Sequence, residues 1–230
     1  MPGPFPYEWL TFDCYGTLID WEEGIWRAFK PLLEKASRKV SLQEFLALYG
    51  ELESEEERVW RPYRDVLRAV CKRMAQILGI DLAPREEEIL LESLPSWKPF
   101  PEVNEALVGL KERGFSLAII SNIDNDLLAH SLRHFAVDFD LLITAEDARC
   151  YKPHQAIFSF AFQRLSVSPP AILHVAQSLF HDISPASSQG WRTCWVKRPG
   201  RDPYGATPKA FAQPDFIISN LLQLIDLLEK

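Results

Sequence analysis

The chain has 230 residues, 47% of them apolar, enough for one large domain or for a core carrying an inserted unit. Its 25 basic and 32 acidic residues leave a formal charge of −7, so it lacks the basic footprint that nucleic acid or an anionic membrane would require. Four scattered cysteines, Cys14, Cys71, Cys150 and Cys194, form no Cys-x-x-Cys pair, which argues against a zinc or redox motif and for reduced, mostly buried thiols in a cytoplasmic protein.

Taken in order, Met1 to Pro6 carries neither the basic region nor the apolar run of a leader, and no later stretch reaches membrane-spanning length. Trp9 to Phe12 is an apolar run too short for a helix and reads as a buried parallel strand. Asp13 ends it and Gly16 permits a sharp turn. Ligands of open α/β sheets bind at the carboxyl ends of the strands, so Asp13 stands where chemistry is expected, although an aspartate there can equally cap a turn.

From Asp20 to about Pro95 the texture is helical. Trp21, Ile25, Phe29 and Leu32/Leu33 recur at helical spacing, and Ser41 with Glu44 predicts a capping box. The carboxylate-rich run from Glu51 to Arg58 reads as a solvated helix face. A further helix is predicted from Tyr63 to Leu78, with Val66, Val70, Met74 and Ile77 as its apolar stripe and Gly79 as its stop. Pro84 to Leu94 is a fourth candidate. Residues 20–96 therefore form a helical insertion, a cap, in an α/β core made of 1–19 and 97–230.

Beyond the return linker at Trp97 to Pro101, helices and strands alternate. Strands are predicted at Phe115 to Ile120, Phe139 to Thr144, Ile172 to Ala176, Thr193 to Val196 and Phe216 to Ile218. Helices are predicted at Pro101 to Arg113, Asp124 to Phe135, through Phe158 and Phe162 to Leu165, from Asp182 to Gly190, and from Leu221 to Leu228. This alternation predicts a Rossmann-like parallel sheet with helices on both faces. It also brings Asp13, Ser121-Asn122, Lys152 and Asp182 to one edge. Singly, Ser121 and Asp182 read as helix caps and Lys152 as a surface lysine; together they make a site.

The order of these residues is similar to the four motifs of the haloacid dehalogenase (HAD) superfamily, and Phe12-Asp13-Cys14-Tyr15-Gly16-Thr17-Leu18 resembles its L-2-haloacid dehalogenase branch. The resemblance implies Asp13 as nucleophile, Lys152 as its charge partner, hydrogen bonds from Thr17, Ser121 and Asn122, and Asp182 holding Lys152 and positioning a water. Two departures separate the chain from the phosphatases of the superfamily. Tyr15 stands where they carry a general acid, and Gln177, in Val175-Ala176-Gln177-Ser178-Leu179-Phe180-His181-Asp182-Ile183, replaces a carboxylate that would help hold magnesium. The expected reaction is hydrolytic removal of halide from a short 2-haloalkanoate through an Asp13 ester, without metal or other cofactor. Tyr15, Asn122, Gln177, Ser178 and His181 are candidate substrate contacts.

The halide-binding arginine of that branch has no counterpart, since Leu48-Tyr49-Gly50 carries glycine at the matching place. Arg61 and Arg64 are the substitutes offered by the neighbouring helix. The tyrosine downstream of the lysine is Phe158 here, and the serine and asparagine of the fourth motif are Gln177 and Leu179. His181 beside Asp182 reads either as structural or as a group titrating near neutrality. Family resemblance also implies a homodimer and a small-molecule substrate. The alternatives are a magnesium-dependent HAD phosphatase of a small metabolite and a HAD fold without catalysis, used for binding.

Overall fold

In the computed structural model, which describes residues 7–202 and 206–228, six strands form one parallel sheet in the order β3-β2-β1-β4-β5-β6. The strands are β1 (Trp9–Phe12), β2 (Ser116–Ser121), β3 (Leu141–Thr144), β4 (Ile172–Ala176), β5 (Arg192–Val196) and β6 (Phe216–Ile218). The N-terminal segment Met1 to Pro6, expected to carry no leader, lies outside the described residues. Among the described residues no helix is long and apolar enough to cross a membrane.

β1 is central, with Leu10, Thr11 and Phe12 all fully buried and a neighbouring strand on either side. It pairs with β2 through Phe12 and Ile119 and with β4 through Phe12 and Val175. The sheet changes winding direction beside β1, so its carboxyl end opens on the crevice where such sheets bind ligands. Asp13 is the next residue. Gly16 then turns the chain at φ 103°, and a Cβ there would lie 3.1 Å from the Trp21 indole nitrogen.

Residues 21–96 are helical throughout their ordered elements: α1 (Trp21–Lys35), α2 (Leu42–Glu56), α3 (Tyr63–Leu78) and α4 (Ile89–Ser93). Asp20 caps α1, and Ser41 and Glu44 close a reciprocal capping box on α2. Gly79 ends α3 in a left-handed conformation. The predicted apolar stripe of α3 needs one correction. Ile77 is 58% exposed, and the stripe is instead Val66, Leu67, Val70, Cys71 and Met74. The fourth helix is shorter than predicted, with single 3₁₀ turns on either side of α4, and Pro95 sits in the second of these.

The chain leaves and re-enters the α/β layer side by side, with Ile19 bridged to Pro99 and the Asp20 amide donating to the Lys98 carbonyl at 2.8 Å. The remaining helices are α5 (Val103–Glu112), α6 (Asn125–Leu132), α7 (Ala145–Ala148), α8 (Gln155–Leu165), α9 (Ser184–Ser188) and α10 (Leu222–Leu227). The helix predicted from Asp182 begins earlier, as a π-helical turn at Leu179–Ile183 that precedes α9.

One apolar cluster joins the sheet to the helical insertion. It runs from Leu10 and Phe12 to Phe45, Tyr49 and Met74. Phe45 is fully buried against Trp26 and Phe29, so these aromatics serve the insertion's own core. Where α3 begins no residue of its own caps it. Asp124, after β2, does so from across the fold, accepting from the Tyr63 and Arg64 amides at 2.7 and 3.1 Å. Free helix amides and the helix dipole both favour a carboxylate there.

Gly50 on α2 is fixed by close approach. A Cβ would stand 2.2 Å from the Ala206 carbonyl oxygen. Gly50→Ala should therefore force backbone apart and lower stability by about 1–3 kcal/mol, read as an earlier midpoint in urea unfolding with an unchanged slope.

Candidate active site

Asp13 lies at the mouth of β1 with both carboxylate oxygens engaged. Oδ1 accepts from Lys152 Nζ at 2.8 Å and Oδ2 from Thr17 Oγ1 at 2.7 Å. The Thr17 hydroxyl is oriented in turn, because it accepts from the Gln177 amide at 2.9 Å. The loop carrying Thr17 is held from outside by Arg198, which stacks on Phe100, pairs with Glu102 and donates to the Thr17 carbonyl.

Lys152 is 2% exposed and spends all three of its protons. They go to Asp13, to Asp182 Oδ1 at 2.6 Å and to the Ile120 carbonyl at 2.9 Å. Its backbone is clamped by Asn122, whose Oδ1 accepts from the Lys152 amide at 2.7 Å and whose Nδ2 donates to the Lys152 carbonyl at 3.1 Å. Behind Asp182 stands His174, fully buried in β4. Its Nε2 meets Asp182 at 3.1 Å and its Nδ1 meets Thr11 Oγ1 at 2.8 Å. An ionised carboxylate only accepts, so Nε2 donates to Asp182. His174 was not among the expected site residues; a histidine in an otherwise apolar buried strand was the signal.

Burial pushes the Asp13 carboxyl above the ordinary carboxylate range, against the pull of Lys152 and Thr17. Burial acts on Asp182 too, but Lys152 and the His174 hydrogen bond outweigh it and hold Asp182 below that range. Burial disfavours the ammonium of Lys152, yet the two carboxylates hold its pKa above the usual lysine value. Lys152 therefore remains charged, and Asp182 is the stronger acid of the pair that shares it.

Asp13 opens on a cavity of about 50 Å³, room for only a few non-hydrogen atoms when one water needs roughly 10–15 Å³. Tyr15, Ser121, Asn122, Lys152, Gln177, Ser178, His181 and Asp182 share its wall. Ser121 Oγ is buried there with no hydrogen-bond partner. The Tyr15 hydroxyl is bound to Ser131 at 2.8 Å, and Ser178 Oγ is spent capping the π-helical turn through the His181 amide. Burial drops the His181 pKa to about 4, so this ring is neutral at pH 7 rather than titrating near neutrality.

Two expectations fail here. Arg61 and Arg64 do not line the cavity. Arg61 pairs with Glu56, and Arg64 pairs with Asp124 and Asp126, because the start of α3 is tied to the core at that point. The run from Glu51 to Arg58 is also not simply a solvated face. Glu53 is 7% exposed, the Glu57 side chain is equally buried, and both look into the cavity beside Tyr63. Glu53 Oε1 accepts from the Tyr49 and Tyr63 hydroxyls at 3.0 and 2.6 Å. Glu57 accepts from Asn122 Nδ2 at 3.2 Å and lies 3.9 Å from His181 Nε2. Gly50, where an arginine was sought, has no room for any side chain.

The family model described as haloacid dehalogenase-like hydrolase matches residues 10–196. The chain is similar to an (S)-2-haloacid dehalogenase of Pseudomonas sp. (strain YL), at 29% identity over 96% of this chain and 94% of that protein. It is similar to haloacetate dehalogenase H-2 of Moraxella sp. (strain B), at 36% identity over 52% of this chain and 54% of that protein. Its fold is shared by the L-2-haloacid dehalogenase of Xanthobacter autotrophicus solved with chloropropionic acid covalently bound, with a TM-score of 0.80, 19% identity and coverage of 96% and 98%.

Removing the ammonium should leave two buried carboxylates facing one another. Lys152→Met is expected to lower stability at pH 7 by about 3–5 kcal/mol, and the deficit should shrink as the pH is lowered and the carboxylates protonate. Glu53 gives the opposite sign. Burial pushes its carboxyl up to about 7, against the two tyrosine hydroxyls. Its ionisation carries no penalty below the unfolded value near 4.5, and the penalty grows as pH rises through about 7. Glu53→Gln should therefore stabilise the protein more at pH 8 than at pH 5, checked by urea midpoints at both.

Proposed function

The chain belongs to the haloacid dehalogenase-like hydrolases, and within that family we propose that it displaces halide from a short 2-haloalkanoate through an ester on Asp13. The observation that carries the reading is the Lys152 ammonium, bonded at once to Asp13 and Asp182 beside a small cavity. Lys152 occupies Oδ1, so Oδ2, which keeps a second lone pair beside the Thr17 hydrogen bond, is the attacking oxygen. An oxygen–carbon bond forms at C2 and the carbon–halogen bond breaks with its electron pair on the halide. Water held by Asp182, which takes its proton, then adds to the ester carbonyl, and the bond between Oδ2 and the carboxyl carbon breaks, the departing C2 alkoxide receiving that proton. Lys152, already on Oδ1, stabilises the charge that develops on that oxygen. The product is a 2-hydroxy acid inverted at C2.

The insertion 20–96 acts in this reading as a cap that excludes water from the nucleophile. Magnesium fits the site poorly. Both Asp13 oxygens and Asp182 Oδ1 already hold donors, and Gln177 offers a neutral amide where a hard anionic oxygen would be needed. Among the described residues no group of three or more His, Cys, Asp or Glu side chains is arranged to hold a metal ion. A phosphatase would further need an acid where Tyr15, already bonded to Ser131, stands.

Chloroacetate or 2-chloropropionate, quenched early in turnover, should leave a covalent adduct on Asp13 detectable by peptide mass spectrometry. Halide release should be indifferent to EDTA and abolished in Asp13→Asn. Hydrolysis without an adduct, or phosphate-ester turnover that requires magnesium, would overturn the assignment.

A further inference from the structure

Four carboxyl groups line the cavity: Asp13, Asp182, Glu53 and Glu57. Against them stands Lys152, whose three protons are already assigned. A 2-haloalkanoate would bring one more negative charge. Such a cavity admits it more readily if a carboxyl on the helical wall is a neutral acid. The two on that wall are not equivalent. Glu53 is the acceptor of two phenolic hydroxyls, an arrangement that favours its anion. Glu57 receives only the Asn122 amide, at 3.2 and 3.3 Å, and sits beside a neutral His181.

We propose that Glu57, as the neutral acid, donates the hydrogen bond that receives the departing halide. This rests on the reaction proposed above. In-line displacement sends the halide to the side of C2 opposite Asp13, and Asp13 rises from the sheet, so the leaving group faces the wall built by α2 and α3. The unpartnered Ser121 hydroxyl, on the sheet side of the same cavity, is left for the substrate carboxylate. During attack the negative charge of Asp13 moves to the halide, away from Lys152 and toward Glu57. A carboxylate there would repel it, whereas an acid stabilises it and keeps its own proton.

Around Glu57 stand Glu53 on α2, Tyr63 on α3, Asp13 across the cavity, Tyr151, Lys152 and His154 before α8, and the adjacent Arg58; of the two cations, Lys152 is bonded to Asp13 and Asp182 and Arg58 is exposed to solvent, and His181 is neutral. Burial, with Glu53 adding to it, holds the Glu57 carboxyl well above the usual range. Arginine has no place in this arrangement, since the side chain is excluded at Gly50 and Arg61 and Arg64 are paired elsewhere.

The test is the pH dependence of ester formation, followed as Asp13 adduct in quenched single turnovers with chloroacetate and bromoacetate. The wild-type rate should fall tenfold per pH unit on the alkaline side as Glu57 ionises. Glu57→Gln, which keeps a donor but cannot ionise, should lose that limb. Glu57→Leu should slow both substrates at least about tenfold, chloroacetate more than bromoacetate because chloride is the stronger acceptor. A wild-type rate that stays flat at high pH overturns the inference whether or not the variants fold, and so does an alkaline limb that survives in Glu57→Gln. Absence of any Asp13 adduct in the wild type would instead overturn the reaction itself, and this inference with it.

Discussion

A lysine ammonium buried between two carboxylates is the constraint on which the rest of this structure depends. Taking three charges out of water is expensive, and the arrangement survives only because every donor and acceptor is matched. Lys152 gives one proton each to Asp13, Asp182 and the Ile120 carbonyl. Asp182 is backed by His174, and His174 by Thr11. The polar line therefore runs from Asp13 into the interior of the sheet. A residue on β1 (Thr11) thus helps fix a lysine carried between α7 and α8.

The helical insertion is tied to the same place. Asp124 follows β2, yet it caps α3. Trp60 donates to the Ala145 carbonyl, and the hydroxyl of Tyr151, the residue before Lys152, donates to the Arg61 carbonyl. Asn122 clamps the Lys152 backbone with both ends of its amide, and its Nδ2 also donates to Glu57. Movement of the insertion would consequently be felt at the lysine through backbone groups, without any need for a direct contact with its ammonium.

What could be read from the sequence was what short-range pattern encodes. β1, β2 and β4 are apolar runs punctuated by polar residues at their carboxyl ends, and parallel pairing then brings those ends together. The roles expected of Glu53 and Glu57 failed for a physical reason. A run of carboxylates on a helix looks solvated, and its burial depends on partners far along the chain: Tyr63 on another helix for Glu53, and Asn122 from the sheet for Glu57. The exposed Ile77 is the mirror case, an apolar residue whose spacing fits the stripe while the packing stops one turn short. Gly50 was visible as a departure, but its cause, a carbonyl from residue 206 pressed against α2, is a long-range contact that no local pattern announces.

That contact also explains why negative charge must be handled differently here. A fixed cation over Asp13 would bind an anionic substrate and its halide, but it would also compete with Lys152 for the Asp13 carboxylate. With Gly50 pinned and the nearby arginines paired, the wall over Asp13 is built from acids whose charge depends on their surroundings. Burial makes each added anion costly, so the wall accepts a proton rather than a second negative charge. In the proposed reaction such a wall presents a donor when a substrate anion arrives and leaves the Lys152 ammonium to Asp13. In that reaction, selectivity for a small anionic substrate comes from the volume of the cavity and from the protonation of its roof.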